Sequence, residues 1–266
     1  MTTWLPLARS KLATMSVDLK RLSPAERLLW DYGVRRPAHI DLEAIAFDKG
    51  AKVIYRRLGG SEARLVARGN HAVISINSDS NDGRQRFSLA HELAHWINDR
   101  ETGAFLCAKE DIGPQDFEAK LVEKKANEFG SQLLLPNYLV DPWMKGRTVT
   151  LGTASLLGAD FSTSLTAAAI RLIRRTNESA CLVCHNQTRL VWFQRSIRFP
   201  SEYFLASGLH PETDGFRMAF GGASGLSEVK VEPANYWISS RGVSRLEVET
   251  QSVKLPDGTV LTLISI

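Results

Sequence analysis

The stretch RFSLAHELAHWI, residues 86–97, constrains this chain more than any other, because it sets two histidines and a glutamate into an otherwise apolar run. At about 100° per residue, Phe87, Leu89, Ala90, Leu93, Ala94, Trp96 and Ile97 cover most of the circumference of a helix, which marks a core element. Ser88, His91, Glu92 and His95 fall together within an arc of roughly 100°. Imidazoles and a carboxylate on a buried strip are costly unless they find partners. The HExxH spacing places the two imidazoles at i and i+4, one above the other, where both reach one zinc ion. Glu92 then projects beside the ion and can take a proton from water held there. The bland alternative, a core helix whose histidines satisfy local hydrogen bonds, leaves this strip without partners.

A catalytic zinc takes three protein ligands and keeps one position open. The next long helical run, LVEKKANEFGSQLLLP, supplies the third. Its apolar stripe is Val122, Ala126, Phe129 and Leu133, flanked by Glu123 and Asn127 at i and i+4. Lys124, Lys125, Glu128 and Gln132 point to the other side. Glu123 is therefore the acid that faces the core, and Asn127, one turn on, can hold the second nitrogen of a histidine ligand. Ala126 and Gly130 leave room for the two helices to approach closely.

Taken together, RFSLAHELAH and, further on, EKKANEFGSQLLLP resemble the motif pair of the ImmA/IrrE family of zinc metallo-endopeptidases. The resemblance spans about residues 23–140. It implies one zinc per chain on His91, His95 and Glu123, with Glu92 as general base. It also implies a substrate that is a helix-turn-helix repressor encoded nearby, cut to switch on stress-response or mobile-element genes. The strand before the zinc helix, with Ala72, Val73, Ile74, Ser75, Ile76 and Asn77, is where such a protease would add its substrate as an extra strand.

The rest of the chain reads as α+β. Residues 1–22 form a tail. A zincin-like domain over 23–141 opens with Ser23 capping a helix at Pro24 and a second helix from Asp41 to Gly50. Strand runs AKVIYRRL, EARLVARG and HAVISINS follow, expected as a small antiparallel sheet with helices. The helix carrying Glu123 is expected from about Pro114 to Leu135, where Pro136 stops it. Residues 142–180 form a helix-turn-helix-like pair broken at GADFSTS, with five basic and two acidic residues. Ser162, Thr163 and Ser164 are where a DNA reader would place its base contacts. The Ala167–Ala169 run suits packing instead, so DNA binding is disfavoured. Residues 181–266 read as a sheet-containing domain with Pro256-Asp257-Gly258 as a hairpin turn. The family's radiation-response branch ends in a GAF-like sensor, although the motifs of that domain are not matched here.

Composition excludes several classes. A net charge of +4 is a mild basic bias, not a nucleic-acid coat. Three cysteines in 266 residues argue for a reducing compartment, and no run approaches a membrane span, so a cytoplasmic protein is expected. Cys181-Leu-Val-Cys184-His185 matches the haem attachment pattern. In a strand, however, residues three apart point to opposite faces and cannot share one metal, so neither haem nor zinc is expected there. The rival readings are a DNA-binding regulator on a peptidase scaffold and a toxin–antitoxin component.

Overall fold

The computed structural model describes residues 17–99 and 117–266. Most of the tail, Cys107 and the expected helix start near Gly113-Pro114 lie outside the described residues.

Helix α1, Pro24–Asp31, starts where the sequence places it: the Ser23 side chain accepts from the Glu26 amide, and the Glu26 carboxylate accepts from the Ser23 amide. Glu26 is buried and also accepts from the Asn137 amide at 2.5 Å, tying α1 to residue 137, 111 positions on. Asp41 caps α2, Leu42–Asp48. The chain turns at Gly50, whose φ of +82° and 2.6 Å approach of a built Cβ to the Asn70 carbonyl exclude a side chain.

Strands β1 (Ala51–Arg56), β2 (Ala63–Arg68) and β3 (His71–Asn77) then form a sheet ordered β1-β3-β2. This corrects the expected antiparallel sheet: β3 pairs antiparallel with β2 but parallel with β1. Of the two turn signals only Gly69-Asn70 makes a hairpin. Residues 57–62 carry the chain past the end of β3, held where the Leu58 amide donates to Asn77 Oδ1 at 3.3 Å. The physical reason is burial, since β3 hides Ala72, Ile74, Ser75 and Ile76 and so takes the centre. A further correction follows. Ala72 to Ile76 are paired on both sides and the Asn77 amide donates to the Glu62 carbonyl, so no substrate strand can add to them. The free edges belong to β1 and β2.

Helix α3, Asp82–Asn98, is capped by Asn81 and lies on the inner face of this sheet. Trp96, fully buried, donates to the Lys49 carbonyl and pins α3 to the end of α2. Helix α4, Phe117–Leu134, runs against α3, and α5, Asn137–Met144, follows at once despite an internal Pro142.

Helices α6, Leu151–Phe161, and α7, Leu165–Arg175, meet at 113°. The break is confined to residues 162–164, so Gly158 to Phe161 are helical rather than part of it. Leu157, Phe161 and Ala168 enter the core of the α3–α4 region, while Leu151, Ala154, Ala169, Leu172 and Ile173 pack on the second sheet. The pair thus bridges two cores. Arg171 is buried and clamps α7 to the α4–α5 junction by donating to Asn137 Oδ1 and to the carbonyl and hydroxyl of Ser131. Burial lowers its guanidinium to about 10.

The second sheet is antiparallel and ordered β5-β4-β8-β7-β6, from β4 (Ala180–His185), β5 (Leu190–Arg195), β6 (Lys230–Pro233), β7 (Glu247–Lys254) and β8 (Val260–Ser265). Cys184 faces the helix pair and Cys181 the opposite face, as the strand period requires. That opposite face is covered by Phe199, Trp237 and neighbours, and by α8, Asp214–Phe220. No single described helix is long and apolar enough to cross a membrane; α6 and α7 pass on composition only as a bent pair.

Candidate metal centre

Two helices build the site. Ala126, Phe129 and Leu133 bury one stripe of α4, while Lys124, Lys125 and Glu128 stay exposed. This register turns Glu123 toward α3. The approach is close at Gly130, where a built Cβ would come within 3.2 Å of the Ala90 carbonyl carbon and the His91 amide. An alanine there would press the α4 backbone away from the first histidine.

His91, His95 and Glu123 converge with ligand atoms all within 4.8 Å of one another. The two Nε2 atoms are 3.1 Å apart; Glu123 Oε2 lies 3.3 Å from His91 Nε2, and Oε1 lies 3.4 Å from His95 Nε2. A tetrahedral ion with ligands at about 2.0–2.1 Å has an edge of about 3.3 Å, and each of these three separations is close to that, with the two imidazoles facing different oxygens of the Glu123 carboxylate. The two imidazoles hold the Glu123 carboxyl well below the usual carboxylate range, as a ligand requires.

The outer nitrogens are also held. His91 Nδ1 lies 3.1 Å from Asn127 Oδ1, and His95 Nδ1 lies 2.8 Å from Asp99 Oδ2. With an ion bound, a proton on Nδ1 of His95 shared with the Asp99 carboxylate would leave its Nε2 lone pair free for the ion. The amide oxygen of Asn127 orients His91 in the same sense. Asp99 was missed in the sequence, although an acid at i+4 from the second histidine is a readable signal.

Glu92 completes the strip. It is 4% exposed, and its Oε2 is buried with no hydrogen-bond partner among the described residues. Burial pushes its carboxyl up, against the pull of the neighbouring imidazoles. A polar atom left in that state is the kind of group a site keeps for chemistry.

The geometry separates Glu123 from Glu128 on α4. Glu123→Gln should weaken metal binding, because a neutral amide is a poorer ligand than a carboxylate. Glu128→Gln, on the exposed side, should leave it unchanged. Metal titration of both variants at one pH checks this; loss of metal by Glu128→Gln alone would mean the register is wrong.

The other candidates lie elsewhere. Ser162 and Ser164 are exposed and Thr163 partly buried, with Ser164 used to cap α7. Cys181 and Cys184 are free thiols buried on opposite faces of β4, and burial pushes Cys181 up to about 12.

Residues 46–172 match the peptidase M78 family model, described as an IrrE N-terminal-like domain. A Mycobacterium tuberculosis transcriptional regulator of solved structure superposes with a TM-score of 0.59 at 14% identity, covering 91% of this chain and 86% of that one. At that identity the likeness is one of fold. No curated protein matches the sequence.

Proposed function

From an IrrE N-terminal-like segment that contains every residue of the metal centre, we propose that this protein is a zinc-dependent endopeptidase of the ImmA/IrrE type. Its substrate in this reading is a cytoplasmic helix-turn-helix repressor. One observation carries the proposal: a buried carboxylate oxygen with no hydrogen-bond partner among the described residues stands beside three converging metal-ligating groups.

His91, His95 and Glu123 would hold the ion, which when bound supplies a Lewis acid and lowers the pKa of water. Glu92 takes the proton at a carboxylate oxygen and returns it to the leaving amine. Its buried setting raises its affinity for that proton, which suits the role of base and then acid. Asn127 and Asp99 keep the imidazoles turned inward. With β3 enclosed, the edge that fits an added substrate strand is β2, which packs on α3 and whose outer side carries no backbone pairing among the described residues. The C-terminal sheet, antiparallel with helices against it, supports an appended sensor domain of GAF-like type.

The test is to incubate the purified protein with the helix-turn-helix repressor encoded beside it, with and without a chelator. Cleavage that stops with chelation and returns with zinc is expected. Cleavage that persists in chelator would sink the metal mechanism.

A second reading, a DNA-binding regulator, draws on the 113° helix pair and on the regulator whose fold is similar. It is weakened by two of the three arginines of α7. Arg171 is buried in the clamp, and Arg175 is paired with Asp141 at 2.6 Å, so neither is available to phosphate.

A further inference from the structure

The outer face of the N-terminal sheet carries a charge pattern that the metal centre does not use. Strands β1, β2 and β3 contain no aspartate or glutamate. Their lysine and arginines are Lys52, Arg56, Arg64 and Arg68. The register puts all four on the face turned away from α3: Lys52 pairs across Val73 with Val66, Ile54 across Ser75 with Arg64, and Arg68 opposes His71. The alternate rows, with Ala51, Leu65, Ala72 and Ile74, face the core. All four cations are exposed, and none is in an ion pair among the described residues. The two rim acids are already engaged, Asp79 with Arg57 at 3.2 Å and Glu62 with Arg84 at 3.7 Å.

Strand spacing fixes the layout. The cations on each outer strand are about 13 Å apart, and the two strands are about 10 Å apart. Val66, 66% exposed, and Val73 lie between them. We propose that this face docks the phosphodiester backbone of a nucleic acid, with one phosphate at each of the four cations. Charge complementarity carries the choice of partner. A three-stranded face offers on the order of a few hundred Å², well short of the roughly 800 Å² per partner that a stable protein interface needs. Backbone binding to nucleic acid depends instead on the number of phosphates neutralised. The proposal is independent of the peptidase reading and uses neither the α6–α7 pair nor the metal ligands.

The test is fluorescence anisotropy of the full chain with a labelled mixed-sequence 20-bp duplex and, separately, a 20-nucleotide single strand. Four phosphate contacts give a slope of log K against log salt of about −3.6 for the duplex or −2.8 for the single strand; for the duplex that is on the order of a 100-fold loss between 50 and 200 mM. The form bound more tightly at equal salt is the one docked. Arg64→Gln/Arg68→Gln should flatten the slope by about 2 with an unchanged melting temperature. Arg241→Gln/Arg245→Gln removes the same charge from exposed sites on the C-terminal side and should leave the slope unchanged. Absence of binding at 50 mM salt, or equal losses in the two double variants, overturns the proposal. Displacement of the oligonucleotide by poly-glutamate at equal charge concentration also overturns it, in favour of an acidic protein partner.

Discussion

Glu92→Gln is expected to cut cleavage by about 10²–10⁴-fold while leaving metal content unchanged. The substitution keeps the side chain's size and shape but removes its capacity to accept and return a proton. Glu92 is not among the three converging ligands, so the ion should stay. Nor does the fold depend on its charge. Burial already works against the ionised form, and Oε2 has no hydrogen-bond partner among the described residues to lose. The melting temperature of the metal-free variant should therefore match or exceed that of the wild type. Turnover of a helix-turn-helix repressor, read beside metal content and thermal unfolding, checks all three statements. Equal turnover by wild type and variant would remove Glu92 from the mechanism.

His91→Ala should abolish metal retention and activity together. Losing an outer partner of a ligand commonly costs 10–100-fold in affinity, and losing one of three ligands costs more. The remaining pair, His95 and Glu123, would lie 3.4 Å apart with no third protein ligand to close the triangle. Because His91 is only partly buried, at the rim of the helix packing, the fold should survive its truncation. Metal analysis after dialysis reads the result directly. Wild-type metal content in His91→Ala would place the ion elsewhere in the chain.

The parts of this molecule that were legible in the sequence are those fixed by local chemistry. Ser23 and Asp41 start helices because their side chains satisfy free backbone amides. The register of α4 could be read because one apolar stripe, Ala126, Phe129 and Leu133, left a single acid beside it. The opposite facing of Cys181 and Cys184 followed from the two-residue period of a strand. What stayed hidden depends on contacts between distant segments. Turn signals at Gly59-Gly60 and Gly69-Asn70 look alike, and nothing local says which strand will take the centre of the sheet. Helix α5 was hidden by Pro136 before it and Pro142 within it, and α8 by having only seven residues. Asp99 was overlooked because its role is to hold a ligand rather than to be one. The clamp by Arg171 joins residues 34 and 40 positions apart, and no periodic pattern announces it.

Zinc-edge X-ray absorption on the purified, zinc-loaded protein tests the central claim most directly. The account predicts about one zinc per chain, with nitrogen and oxygen ligands at about 2.0–2.2 Å and the outer-shell scattering of two imidazole rings. A shell containing sulfur at about 2.3 Å, or one lacking the imidazole signature, would contradict a centre built from His91, His95 and Glu123.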